Sequence, residues 1–144
     1  MRGEDDLDDK LLHEMADKAV SYISAFGWCE AVHEKYFGDG FGGIVALFLF
    51  RLSIRKVREP EWVWVIVGDI PSAYLEAEGF PTAHAALKKY LEGVEDWIDT
   101  PADLRDSRDD LPPLYVPQGP EYIEMMRTRI STLRESFLPH IKAE

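Results

Sequence analysis

Two neighbouring stretches of the chain carry the hydrophobic pattern of β-strands. In residues 44–55 the second half alternates between apolar and polar positions, the period of two that a half-buried strand requires. Residues 61–68 are aromatic and β-branched almost throughout, which suits a strand covered on both sides. A turn over residues 69–72 leads into residues 73–76, which can return as a short strand. The pattern predicts an antiparallel sheet of three or four strands.

Four other segments place apolar residues at helical spacing. They are residues 5–26, 28–37, 82–98 and 120–138. Thr82 is a good N-cap for the third of them. We expect these helices to pack mainly on one face of the sheet, with the first and the last paired to each other, which gives an α+β fold.

The length of 144 residues fits a single domain, and no internal repeat or shift of composition divides it. Residues 101–119 hold four of the nine prolines together with several aspartates, so we expect an irregular surface segment there. The acidic N-terminus does not resemble a secretory signal, and the single cysteine, Cys29, allows no internal disulfide. No apolar run approaches the ~20 residues that cross a bilayer, so these features predict a cytoplasmic protein without a membrane partner.

The formal net charge is −11, from 27 acidic and 16 basic side chains. Such a field repels nucleic acid, which we therefore do not expect as a partner, whereas a basic protein would complement it. One local exception is a basic group in and after the first predicted strand: Arg51, Arg55, Lys56 and Arg58. Our interpretation is a solvated, charge-protected strand, and a small anion site is the alternative.

The glycine-rich residues 38–43 invite comparison with phosphate-binding loops. They lack the Gly-Lys-Ser/Thr of a Walker loop, and they precede a predicted strand where the dinucleotide motif would open a helix. We interpret them as a flexible connector and predict no nucleotide or other cofactor.

Polar residues near the start of the chain allow a metal-site hypothesis. Glu30 and His33 are three positions apart on a predicted helix, as in half of a di-iron site, and His13 with Asp17 could meet them in space. A second Glu-x-x-His is missing, so exposed helical residues are the preferred interpretation and no metal is predicted. Cys29 beside His33 could be an activated thiolate, but a small buried residue is the more ordinary role.

No complete catalytic set is present, so no catalytic residue is assigned. Asp69 follows a buried strand directly, where a carboxylate either closes a turn or faces a ligand, and the turn role is preferred. Five residues remain as candidate binding groups: Asp69, Tyr74, Arg51, Arg55 and His33.

The order of motifs resembles that of a family of small, uncharacterised bacterial domains. The resemblance rests on Trp28-Cys29-Glu30, a strand, the sequence WVWVIVGDIPSAYL at residues 62–75, and an amphipathic helix that ends in Trp97. The family has a Trp-rich strand followed by Gly-Asp-Leu-Pro and a Tyr, and this chain has Ile70 in place of the Leu. The resemblance covers residues 28–98 and implies a bacterial cytoplasmic α+β domain without an established activity.

The leading hypothesis for function is a non-enzymatic, acidic protein-interaction module, conceivably an immunity or antitoxin-like protein that covers a basic surface. The alternative is a small-ligand binder or enzyme whose pocket lies between sheet and helices and uses Asp69, Tyr74, His33 and Arg51. A homodimer formed through the sheet edge or the last helix is a third hypothesis.

Overall fold

A computed structural model of the chain describes residues 6–105, 107–108 and 119–141, with side chains from residue 10 onward. The elements, in chain order, are α1 (Asp6–Ser24), β1 (Cys29–Phe41), β2 (Val45–Ile54), β3 (Glu61–Gly68), β4 (Ala73–Glu76), α2 (Ala83–Asp99), α3 (Ala102–Arg105) and α4 (Pro120–Thr132). Helix α4 continues into a π-helical turn, Leu133–Phe137, and a 3-10 turn, Leu138–His140.

The four strands form one antiparallel sheet in the order β1-β2-β3-β4. The predicted strands 44–55, 61–68 and 73–76 are confirmed to within one residue. The fold class, α+β with an antiparallel sheet, is confirmed as well.

The helices cover both faces of the sheet, and the prediction that they pack mainly on one face is wrong. Strands β2 and β3 are apolar on both sides, so each side must be shielded from water. On one face Phe48, Phe50 and Val65 pack against α1, whereas on the other Leu47 and Ile66 pack against α2 and α4. Helices α1 and α4 therefore lie on opposite sides and do not pair as predicted.

Strand β1 replaces the predicted helix 28–37, and its irregular register explains the error. Register shifts occur at three places along β1, between Cys29 and Ala31, between Val32 and Glu34, and after Phe37. Each bulge adds a residue to the strand, so residues that face α1 recur at intervals of three and five instead of two. Spacing of that kind imitates a helix. The strand also runs on through residues 38–41, where a flexible connector was predicted.

The remaining helices follow the sequence closely. The Thr82 hydroxyl accepts a hydrogen bond from Ala85 N–H at 3.1 Å, which confirms it as the N-cap of α2. The last predicted helix, 120–138, is α4 with its π-helical extension. Of the predicted irregular segment 101–119, residues Ala102–Arg105 form the short helix α3, and residues 106 and 109–118 lie outside the described residues.

Polar contacts fix α2 and α4 on their face of the sheet. The buried hydroxyl of Tyr90 in α2 donates to the Pro71 carbonyl at 2.6 Å, and burial raises the pKa of this phenol, so it stays a neutral donor. Arg134 binds both carboxylate oxygens of Glu95, at 3.0 and 2.7 Å, and so ties the end of α4 to α2.

Gly68 is required where β3 ends. Its φ is +147°, and a Cβ atom there would collide with the Ile44 carbonyl and lie 2.8 Å from Val45 Cα. We expect Gly68→Ala to lower the free energy of unfolding by about 2–3 kcal/mol, measured by urea denaturation. The control is Gly27→Ala, because a Cβ atom added at Gly27 would meet no heavy atom within 4 Å beyond its chain neighbours, and Gly27 lies outside the left-handed region. Equal unfolding midpoints for the two variants would contradict this role.

Candidate functional site

Helices α2 and α4 cover their face of the sheet only as far as Trp64. This side chain is only 5% exposed, and its indole N–H donates to the Phe80 carbonyl at 2.8 Å, in the segment that leads into α2. The far edge of its ring reaches β1, where a Cβ atom on Gly38 would lie 2.8 Å from ring atom Cζ3. Trp64 thus spans the sheet from the helices to strand β1.

Beyond Trp64 the same face continues without helical cover. The register places Arg51 opposite both Glu34 and Trp62, and Leu49 opposite Tyr36. We call this surface the open strip, and its residues are His33, Glu34, Tyr36, Leu49, Arg51, Ser53 and Trp62. The open strip is formed by side chains on three adjacent strands, so its geometry is set by the sheet.

Glu34 organises the polar half of the open strip. Its Oε1 accepts a hydrogen bond from the Tyr36 hydroxyl at 2.8 Å, and its Oε2 pairs with Arg51 Nη1 at 3.1 Å. The hydrogen bond from Tyr36, more than that from Arg51, lowers the pKa of the Glu34 carboxyl, and the same bond raises the pKa of Tyr36. Both oxygens of one carboxylate thus hold a phenol and a guanidinium in place.

Two exposed aromatic rings form the apolar half. Tyr36 is 53% and Trp62 37% exposed, and their ring centroids are 5.8 Å apart. Among the described residues, five large hydrophobic side chains are exposed: Tyr36, Val57, Trp62, Leu104 and Met125. Two of the five meet within the open strip, which sets this surface apart from isolated exposed residues.

An open trough of about 450 Å³ adjoins the open strip at Trp62. Its lining residues are Leu49, Glu61, Trp62, Glu76, Ala77 and Glu78. Because β3 and β4 are antiparallel, the start of β3 lies beside the end of β4, and the Ala77 N–H donates to the Trp62 carbonyl at 3.0 Å. The register places Glu61 opposite Leu52 and Glu76 opposite Val63, so these two side chains project toward the α1 face and the floor of the trough is largely apolar.

The structure brings together two of the five predicted binding residues. Arg51 and His33 both lie in the open strip, where His33 Nε2 and Ser53 Oγ are 2.6 Å apart. Arg55 lies just past the end of β2 with an exposed side chain, and its backbone N–H donates to the Trp28 carbonyl at 2.8 Å.

Asp69 and Tyr74 lie elsewhere. The Asp69 carboxylate pairs with Arg129 of α4 at 2.7 Å, an ion pair between the sheet and the helix layer. Tyr74 is on the opposite face of the sheet, where it packs with Phe26 and Trp28 near the end of α1. Asp69, Tyr74, His33 and Arg51 therefore do not line one pocket between sheet and helices.

Residues 29–33 lie on a strand, so Glu30 and His33 do not share a helical face as predicted. Among the described residues, no group of three or more His, Cys, Asp or Glu side chains is placed to hold a metal ion. Cys29 packs with the α1 side of the sheet, and partial burial raises the pKa of its thiol, which favours the packing role over an activated thiolate.

Five of the seven residues of the open strip were not predicted as functional, among them Trp62, Tyr36 and Glu34. The alternating pattern put Trp62 on the same face as Trp64 and attributed both to packing between layers. Tyr36 and Glu34 fell within the predicted helix. One feature of the sequence could have identified Trp62. It lies two positions before Trp64, at the end of the strand that adjoins the polar residues Glu59, Pro60 and Glu61.

Comparison with protein-family models, curated proteins and solved structures gives no significant match in any of the three. The resemblance to the Trp-rich bacterial family therefore stays a prediction. Within the described part of the chain, none of the helices combines the length and the apolar character needed to cross a membrane.

The Tyr36→Phe variant tests the polar half of the open strip. Removing the phenol donor should raise the pKa of Glu34 toward its ordinary value, in a titration of the carboxyl carbon by NMR. Because folding lowers this pKa, the contribution of Glu34 to stability is present above its unfolded pKa and is lost as the pH falls through the folded pKa. Tyr22→Phe, on the other face of the sheet, is the control and should leave the pKa unchanged. An unshifted pKa in Tyr36→Phe would contradict the hydrogen bond.

Proposed function

We propose that this protein is a non-enzymatic interaction module that binds a basic protein partner through the open strip and the adjoining trough. The observation that carries the proposal is the exposed pair Tyr36 and Trp62 on an otherwise well-covered sheet. Tryptophan, tyrosine and arginine are the residues most enriched among the energetic centres of protein interfaces, and the open strip contains one of each.

The rigidity of this surface supports the proposal. Strands β1, β2 and β3 fix the backbone positions, and Glu34 holds both Arg51 and Tyr36 through its two oxygens. Side chains that are already ordered lose little conformational entropy on binding, which leaves more of the contact energy available as affinity.

The charge distribution favours a basic partner. Within the described residues Glu61, Glu76 and Glu78 form no salt bridge, and all three lie at the corner of the sheet where β3 begins and β4 ends. The chain as a whole carries a net charge of −11, so its long-range field adds to that of the local corner. The narrower hypothesis of an immunity or antitoxin-like protein would require this partner to be a basic toxin.

Replacing Trp62 by Ala should weaken partner binding strongly. An interface centre of this kind contributes about 2 kcal/mol or more, so we expect the Kd to rise by about 30-fold or more. The measurement is quantitative capture from the source cell at low salt, followed by titration of the recovered partner. Tyr36→Ala should have the same direction of effect and tests the surface independently should Trp62→Ala unfold the chain.

Met125→Ala is the matched control for Trp62→Ala. Met125 is 36% exposed, nearly the same fraction as Trp62, and lies on α4 away from the open strip. We expect the Met125→Ala variant to bind the partner with wild-type affinity. If Trp62→Ala and Tyr36→Ala capture the same proteins in the same amounts as wild type, or if wild type has no stoichiometric partner, the proposal is wrong.

Salt should slow association with the partner. Raising the ionic strength from about 0.05 M to about 0.5 M shortens the Debye length from roughly 14 Å to roughly 4 Å, which screens the attraction between the acidic corner and a basic surface. We expect the association rate to fall at least tenfold while the dissociation rate changes much less, measured by stopped-flow fluorescence of the tryptophans. An association rate independent of salt would argue against a basic partner.

A further inference from the structure

We infer that the hairpin loop between β2 and β3 is a docking site for the anionic surface of a lipid bilayer. We call it the basic hairpin, and it consists of residues 55–60, with the sequence RKVREP. None of these residues belongs to the open strip or lines the trough, so the docking site is separate from the surface of the proposed function.

The basic hairpin extends beyond the paired part of the sheet. The last residue of β2 that pairs with β3 is Leu52, and residues 55–59 are all exposed. At its base the Val57 N–H donates to the Ile54 carbonyl at 3.0 Å, which fixes the first turn of the loop. The side chains of the loop are therefore presented to solvent on an ordered backbone.

Three cations lie within four positions of the basic hairpin. Arg55, Lys56 and Arg58 are exposed, and in the part of the chain that the structure describes none of them takes part in a salt bridge. Glu59 is the one acidic residue of the loop, which leaves a local formal charge of +2. The negative charge of the whole chain opposes this attraction only partly, because the Debye length at physiological ionic strength is about 8 Å and a bilayer senses mainly the nearest charges.

An exposed apolar side chain lies among these cations. Val57 follows Lys56 directly, precedes Arg58, and is 41% exposed. A bilayer offers the matching layers, since its anionic headgroups attract Lys and Arg and the acyl boundary just beneath them accepts an apolar side chain. A nucleic acid backbone offers the charge without the apolar layer. The valine therefore favours a lipid surface over other polyanions.

Docking of this kind takes place at the membrane surface and needs no spanning helix. It revises the expectation of no membrane partner for this one loop. Three cations and one valine supply a small apolar contact and a short-range attraction, so we expect weak and reversible binding that rising salt abolishes.

Cosedimentation of the whole chain with lipid vesicles tests the site. We expect binding to vesicles of phosphatidylserine and phosphatidylcholine in equal parts, and no binding to phosphatidylcholine alone. Arg55→Gln, Lys56→Gln and Arg58→Gln combined should lower the partition coefficient about tenfold or more, because each basic side chain near an anionic surface contributes about fivefold.

A second triple variant controls for the overall charge. Lys10→Gln, Lys88→Gln and Lys89→Gln change the net charge by the same amount, at exposed positions on α1 and α2. This control should bind the vesicles as wild type does. Unfolding midpoints in urea should be the same for both triple variants, since all six side chains are exposed.

Val57→Ser tests the apolar contact separately from the charge. Because each methylene buried in the bilayer adds about 0.8 kcal/mol, or about fourfold, loss of the valine side chain should weaken vesicle binding by about fivefold. Leu104→Ser is the matched control, since Leu104 on α3 is 50% exposed, and this change should have no effect.

The outcomes are separate from those that test the proposed function. Failure of the wild-type chain to bind anionic vesicles, or equal weakening in both triple variants, would overturn the docking site. Affinity for a DNA duplex equal to that for vesicles, with no effect of Val57→Ser, would also overturn it, because the loop would then recognise charge alone. None of these results bears on a protein partner that depends on Trp62 and Tyr36.

Discussion

The structure depends on one constraint, which is that the two central strands are apolar on both faces over most of their length. Along β2 the side that faces α1 stays buried from Ala46 to Leu52. The other side begins as apolar, with Val45 and Leu47 buried, and becomes polar at Arg51 and Ser53. Helical cover is needed only where apolar surface must leave water, so α1 covers its face more completely than α2 and α4 cover theirs. The open strip is the part of the sheet that the polarity of β2 leaves without cover.

Local patterns were sufficient for the elements whose register is regular. Strands β2, β3 and β4 pair without register shifts, and α2 has a side-chain cap at Thr82, so their bounds follow from the sequence. Strand β1 could not be recognised in this way. Its bulges are fixed by pairing with β2, a contact between residues distant in the chain, and they convert a period of two into a spacing that imitates a helix. Assignment of β1 as a helix also removed one edge of the sheet and hid the residues it presents.

The candidate site was only partly accessible to sequence reasoning for a related reason. Alternation shows that Trp62 and Trp64 share a face, but it does not show where a covering helix ends. Trp64 is covered and Trp62 is not, and the difference arises from the placement of α2 and of the segment that bears Phe80. Arg51 was identified as a polar residue on a predicted strand and His33 as a polar residue on a predicted helix, whereas Tyr74 proved to be part of an aromatic cluster on the opposite face.

Charge and shape have separate roles on this surface. Arg51 is paired with Glu34, so the centre of the open strip is close to neutral, and the uncompensated negative charge lies at the corner with Glu61 and Glu78. Under the proposed function, attraction at the corner would act over a Debye length and guide the encounter, but exposed carboxylates contribute little to affinity. The affinity for a partner would then come from aromatic surface already held in place. A module built in this way would accept a range of basic partners at first contact and retain those whose surface fits Tyr36 and Trp62.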